Sequence, residues 1–200
     1  SEVYTKNLSA SAICPSGAST GTFEAFEKRD NYNKKYLGKS VLGVVKLVNS
    51  KISKRLKGHS VHNQERIDSL MINLDGTRYK SKLGANGILA VSMAVKKLSA
   101  KLKKKPLYKT FLIKKNFQLP YPLMNIINGG AHANNGLRIQ EFMIRPDKAK
   151  SFSDAMRICF VVIKNLKKLI KKRGLSTSVG DEGGFAPMIS SNNQALDLIV

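Results

Sequence analysis

From Leu123 onward the apolar residues change their period in a fixed order, and that order leaves few folds open. Leu123 to Ile127 is a short apolar run and Ile139 to Ile144 is a second. After Ser151 or Ser153, either of which suits a helix N-cap, the residues Ala155, Cys159, Val162, Ile163, Leu166, Leu169 and Ile170 recur at intervals of three and four up to Gly174. A β-prone stretch follows into Asp181-Glu182-Gly183-Gly184, and a new helical pattern starts near Asn192. Strand, strand, helix, strand, helix predicts an α/β fold of repeated strand and helix, a barrel entered through an antiparallel first pair. The composition shift at Leu119-Pro120-Tyr121-Pro122 divides this part, 120–200, from a domain over 1–119.

The first domain reads as mixed α and β. Val3, Leu8 and Ile13 alternate loosely, which predicts a strand leading into Cys14. Pro15 to Gly21 is a run of small residues suited to a loop; it lacks the Gly-Lys-Ser/Thr ending of a phosphate-binding Walker loop. Val41, Val44, Val45, Val48, Ile52 and Leu56 predict one amphipathic helix from Ser40 to Gly58, and a shorter helix over 64–71 is capped by Asn63. Leu74-Asp75-Gly76-Thr77 is a turn signal. Ala85 to Lys104 is apolar nearly all round and rich in small residues, hence a buried helix, which Pro106 stops.

Composition narrows the function classes. The chain of 200 residues is 42% hydrophobic, enough for a globular core, and its net charge is +22. Residues 1–119 carry 24 basic and 7 acidic side chains, and 120–200 carry 11 and 6. Yet Lys outnumbers Arg 27 to 8, and the lysine clusters lack interleaved aromatics or an Arg fork, so solvated lysine faces are expected and a nucleic-acid module is not. Cys14 and Cys159 form neither a metal spacing nor a disulfide framework, which fits a reduced, cytoplasmic setting. Apolar runs such as Ile158 to Ile163 are broken by lysine well short of a membrane span. Ser1 in place of Met, and an uncapped apolar pattern running to Val200, read as a partial sequence.

Chemistry points to the carboxylates. Glu182 stands between glycines that let the backbone turn sharply and a ligand approach, with an exposed tight turn as the plainer alternative. Gln140 and Glu141 lie inside an apolar strand run, where an unpaired polar side chain costs about 1–3 kcal/mol, so each must be hydrogen-bonded or functional.

Seven segments taken together are similar to one family. They are Pro15 to Gly21 with Glu24-Ala25 and Arg29-Asp30, Lys35 to Lys39, Leu74 to Thr77, Lys80 to Asn86, Asn125 to Gly130 with His132, Gln140 to Ile144, and Gly180 to Pro187. In this order they resemble enolase, phosphopyruvate hydratase. The resemblance implies a small α+β N-terminal domain, its first strand missing here and a sheet edge left unpaired, followed by the first part of an eight-stranded α/β barrel. It implies a hydro-lyase of glycolysis and its reversal, interconverting 2-phosphoglycerate and phosphoenolpyruvate with Mg2+. It also implies a cytoplasmic homodimer, with a cell-surface or secreted pool possible. By motif position Glu182 would be the proton donor and Glu141 its neighbour, tuning it and touching substrate. His132 and Gln140 would bind substrate, His132 from a loop, and Ser19 would hold the second Mg2+ from the mobile Gly/Ser loop. Ser16 and Thr20 keep a loop-stabilising reading. The family's main metal carboxylates, base lysine and phosphate-binding residues would lie beyond Val200, so residues 1–200 alone are expected to be inactive. Asn134 and Arg138 depart from the family pattern by removing negative charge close to the expected acid. The alternative to a working enolase is a truncated non-catalytic remnant, or a surface-binding protein using its basic face.

Overall fold

The computed structural model describes residues 1–17, 20–32, 34–111 and 118–200. The chain divides into two compact units, Ser1–Lys115 and Asn116–Val200, each with its own core.

In the first unit, β1 (Glu2–Tyr4) and β2 (Ser9–Ser11) form an antiparallel hairpin where one strand was expected. The interruption is local: Thr5 N–H donates to the Leu8 carbonyl at 2.8 Å, so the chain reverses before Cys14. The β2 carbonyls of Ser9 and Ser11 do not stand bare. The Lys101 and Lys97 ammonium groups, from the long helix below, donate to them at 2.9 and 3.3 Å. Lysines placed along a strand edge discourage pairing with another chain.

The helix expected from Ser40 to Gly58 is observed as three consecutive pieces, α1 (Leu42–Leu47), a π-helical turn (Val48–Ile52) and α2 (Ser53–Leu56). The π turn is a local widening that apolar periodicity cannot report. The buried Asp30 carboxylate accepts from Gly43 N–H at 3.0 and 3.3 Å and so holds the first turn of α1. Helix α3 (Gln64–Asp75) runs one turn beyond the expected end; Asn63 caps it, accepting from Arg66 N–H at 3.0 Å, and Gly76 closes it. Helix α4 (Ala85–Leu102) presents Ala90, Val91, Ala94, Val95 and Leu98 to the interior. The unit's core gathers Ile52, Ile67, Met71, Leu83, Val91 and Val95.

Asp75, fully buried at the end of α3, organises the turn into α4. One carboxylate oxygen accepts from the Thr77 N–H at 3.0 Å and from its hydroxyl, and the other accepts from Leu83 N–H at 2.7 Å. Burial pushes this carboxyl up, but the Thr77 and Leu83 hydrogen bonds, with Lys80 close by, outweigh it and hold it below the ordinary 3.8. A lowered folded-state value means stability that is present at neutral pH and is lost as the pH falls below 3.8 through that lowered value. Asp75→Asn replaces an acceptor by a donor facing these donors. Urea unfolding at neutral pH is expected to show a loss of about 2–3 kcal/mol, and an unchanged midpoint would refute the assignment.

The second unit opens with β3 (Met124–Asn128), pairing antiparallel with β4 (Glu141–Ile144). The register sets Asn128 opposite Glu141, with an irregularity between Asn125 and Ile127. Helix α5 (Phe152–Lys172) follows, capped by Ser151, whose hydroxyl accepts from Asp154 N–H at 3.1 Å. Helix α6 (Asn192–Ile199) is capped by Ser191 in the same way at 3.3 Å. Ile126, Ile127, Phe142, Leu166, Ile170, Phe185, Ala195 and Leu198 make the core, so both helices pack on the strands. Among the described residues no helix is long and apolar enough to cross a membrane.

The strand expected to lead into Glu182 is not observed. The chain instead makes a tight return: Gly180 N–H donates to the Gly184 carbonyl at 2.8 Å and Ala186 N–H to the Ser178 carbonyl at 2.8 Å. Gly183, with φ +83°, supplies the left-handed turn residue. Phe185, after the turn, is the residue that joins the sheet. It bridges Ile127 in parallel, its N–H donating to the Ile126 carbonyl at 2.9 Å and its carbonyl accepting from Asn128 N–H at 2.8 Å. Glu182 therefore sits at the tip of a return beside β3.

Candidate active site

Three chain segments end at one place because of this pairing. β3 finishes at Asn128; β4 starts at Glu141, directly opposite; the glycine return, pinned to β3 through Phe185, brings Glu182 to the same edge. Between β3 and β4 a short 3-10 turn, Gly130–His132, folds His132 inward until its side chain is 3% exposed. Its carbonyl accepts from Asp181 N–H at 3.2 Å, which ties the turn to the return carrying Glu182.

The expected side chains meet around this imidazole. His132 Nδ1 lies 3.5 Å from Glu141 Oε1, and Nε2 lies 2.9 Å from Gln140 Nε2 and 3.9 Å from Glu182 Oε1. The Glu141 contact has ion-pair distance without hydrogen-bond alignment, so Nδ1 is buried with no hydrogen-bond partner. Glu141 is 27% exposed and Glu182 42% exposed, so both carboxylates are open to a ligand. Alongside, Gly130, Ala131, His132, Ala133, Asn134 and Asp181 line an open cavity of about 360 Å³. Gln140 stands just before β4 rather than inside it, as Glu141 begins the strand. Asn134 and Arg138 are exposed, and Arg138 makes no ion pair among the described residues, so its charge reaches the carboxylates only through solvent.

Ser19 lies outside the described residues. The stem of its loop is tied down: the Ser16 hydroxyl donates to Glu27 at 2.5 Å and accepts from Arg29 Nη2 at 2.6 Å, while Arg29 Nη1 reaches the Lys39 carbonyl at 2.8 Å. The Ser16 hydrogen bond, with Arg29 beside it, outweighs burial and holds the Glu27 carboxyl below its ordinary value. Cys14 and Cys159 are both pushed up by burial, Cys14 also by Glu27, which disfavours thiolate chemistry.

Two supporting residues were not singled out from sequence. Asn128 is completely buried; it accepts from the Asn125 amide and donates to the Gly184 carbonyl at 3.3 Å, stitching β3 to the return. Asn135 donates to the Asn128 and Pro187 carbonyls at 2.9 and 3.2 Å, holding the loop that carries His132. An amide directly closing an apolar strand run was the available signal for Asn128; no local signal marked Asn135.

His132, Glu141 and Glu182 offer three donor atoms within 4.8 Å of one another. One is an imidazole nitrogen, which suits softer divalent ions, whereas Mg2+ takes oxygen ligands in near-octahedral geometry. These residues do not fit a magnesium centre, and no chemical step is derived through a metal.

Residues 1–111 match the family model "Enolase, N-terminal domain", and residues 116–200 match "Enolase, C-terminal TIM barrel domain". The chain belongs to the enolase family. It is also 80% identical over 199 residues to the enolase of Pelagibacter ubique (strain HTCC1062), a match covering 100% of this chain and 48% of that protein. The chain thus spans about half the length of this curated enolase. Membership accounts for the mixed strand and helix architecture in both units.

Proposed function

We propose that the protein to which these residues belong is a hydro-lyase that interconverts 2-phosphoglycerate and phosphoenolpyruvate, a step of glycolysis and its reversal, in the cytoplasm and as a homodimer. The observation that carries this reading is the convergence on one strand edge of His132, Gln140 and Glu141, from one hairpin, with Glu182, forty-one positions beyond Glu141. Hydroxide is a poor leaving group, so its departure needs a proton donor at the departing oxygen. Glu182, at the exposed tip of the return, is that donor. Glu141, with an oxygen within 4.8 Å of it, is placed to share its proton and to contact substrate. Gln140 and His132 supply the polar contacts that orient the substrate. The domain assignment that accompanies this reading is an N-terminal domain over 1–119 and the start of the barrel over 120–200.

The metal cofactor belonging to this family is proposed to be Mg2+. Its role would be to stabilise the charge that develops on the substrate. Its main ligands are assigned to the part of the protein beyond Val200, with Ser19 as the further ligand from the first domain.

A complete α/β barrel takes roughly 250 residues, far more than the second unit holds. Purified residues 1–200 given 2-phosphoglycerate and Mg2+ are therefore expected to form no phosphoenolpyruvate, whereas the full-length protein forms it readily. Absorbance of the enol product follows both. Turnover by residues 1–200 would overturn the division of the site, and an inactive full-length protein would overturn the function.

A further inference from the structure

We propose that Gln140 is a positioning residue that fixes the tautomer of His132, so that Nδ1 carries the proton and Nε2, accepting from the Gln140 amide, turns no N–H toward Glu182. The assignment of protons stands on geometry alone; its meaning for catalysis rests on the reading of Glu182 as proton donor.

A neutral imidazole has one N–H and one lone pair, and the neighbours of its two nitrogens decide which is which. Glu141 Oε1 lies 3.5 Å from Nδ1, and the ring is buried. A lone pair on Nδ1 would set two electron-rich atoms against each other away from water, while an N–H there is attracted to the carboxylate. The opposite edge agrees with that choice. Gln140 Nε2, a donor with no acceptor capacity, lies 2.9 Å from His132 Nε2, which can receive it only when unprotonated. A reversed Gln140 amide would bring its carbonyl oxygen against that lone pair, so amide orientation and tautomer hold each other in place.

Consecutive residues thereby grip the ring from both sides, Glu141 as the first residue of β4 and Gln140 just before it. The consequence falls on Glu182. Its Oε1 is 3.9 Å from the same Nε2, whose single lone pair accepts from Gln140, so in this tautomer no ring N–H faces the Glu182 carboxyl. With the other tautomer, a ring N–H would favour the ionised carboxylate there.

The test is nitrogen NMR of the full-length protein labelled with 15N-histidine, read at a pH where the rings are neutral. The His132 signals are assigned by their loss in His132→Asn, which separates them from the exposed His59 and His62 and from any histidine elsewhere in the full-length protein. The expected result in the unmodified protein is a proton on Nδ1 and a bare Nε2. Gln140→Glu puts an acceptor-only group against Nε2 and is expected to shift the tautomer ratio toward Nε2–H by more than about tenfold. Finding the proton on Nε2 in the unmodified protein overturns the proposal, with no need of the variant. So does a tautomer unmoved in folded Gln140→Glu. Turnover by the unmodified sample is measured in parallel: an active protein with Nε2–H refutes this inference alone, and an inactive one refutes the proposed function.

Discussion

Replacing Glu182 by glutamine in the full-length protein is expected to lower turnover about 10²- to 10⁴-fold, the usual cost of losing a positioned general acid. Gln keeps the length and shape of the side chain at the exposed tip of the return, so folding and Gly183's turn are undisturbed. What is lost is the proton. Because the loss concerns the reacting state, kcat and kcat/KM should fall together while KM changes little. Steady-state rates with 2-phosphoglycerate check this. A variant within threefold of the parent would remove Glu182 from the chemistry and leave the return as a structural turn only.

The second large effect is expected at a residue with no side chain of its own. A Cβ added at Gly180 would stand 2.2 Å from Asn128 Nδ2 and 2.5 Å from the His132 carbonyl. Neither neighbour can yield: Asn128 is completely buried and fixed by its bonds to Asn125 and Gly184, and the His132 carbonyl is held by Asp181 N–H. Gly180→Ala must therefore push the return away from β3. A loss of about 1–3 kcal/mol in stability is expected from overpacking. Turnover should fall by about 10²-fold, since a 1 Å misplacement of a catalytic group has that effect. Thermal unfolding and steady-state kinetics of the same preparation separate the two. Gly183→Ala is the control: nothing lies within 4 Å of its Cβ position, so it meets only the strain of φ +83°. Equal behaviour of the two variants would show that the close approach at Gly180 has no special role.

These two residues also mark where sequence was readable and where it was not. Helix α5 could be read to within about two residues, because a buried stripe at three and four, a serine cap at Ser151 or Ser153 and Gly174 are all local signals, and the structure selects Ser151. Gln140 and Glu141 stood out since polar side chains in an apolar run need a reason. Glu182 stood out as a carboxylate among glycines, yet its support was misread. The apolar character of Val179 suggested a strand, while Val179 is 62% exposed and Phe185 makes the contact to β3. That outcome depends on Gly180 lying against Asn128 and His132, a tertiary contact with no trace in local pattern. The π turn at Val48–Ile52 was invisible for a related reason: one extra residue in a turn leaves the apolar stripe nearly in phase. Asn135 acts through carbonyls on two separate segments, so only the folded chain reveals it.

The attachment of the return through Phe185 sets an order of assembly. Ile127 meets Phe142 fifteen positions later in the chain, but meets Phe185 only after fifty-eight. By loop-closure entropy the longer connection costs about 1 kcal/mol more. Few backbone bonds offset it, whereas the β3–β4 hairpin closes early and locally. His132, Gln140 and Glu141 are thus gathered by one hairpin, and Glu182 is delivered to them by the late arrival of a single aromatic residue. During synthesis the carboxylate proposed to donate the proton is the last of the four to reach its place.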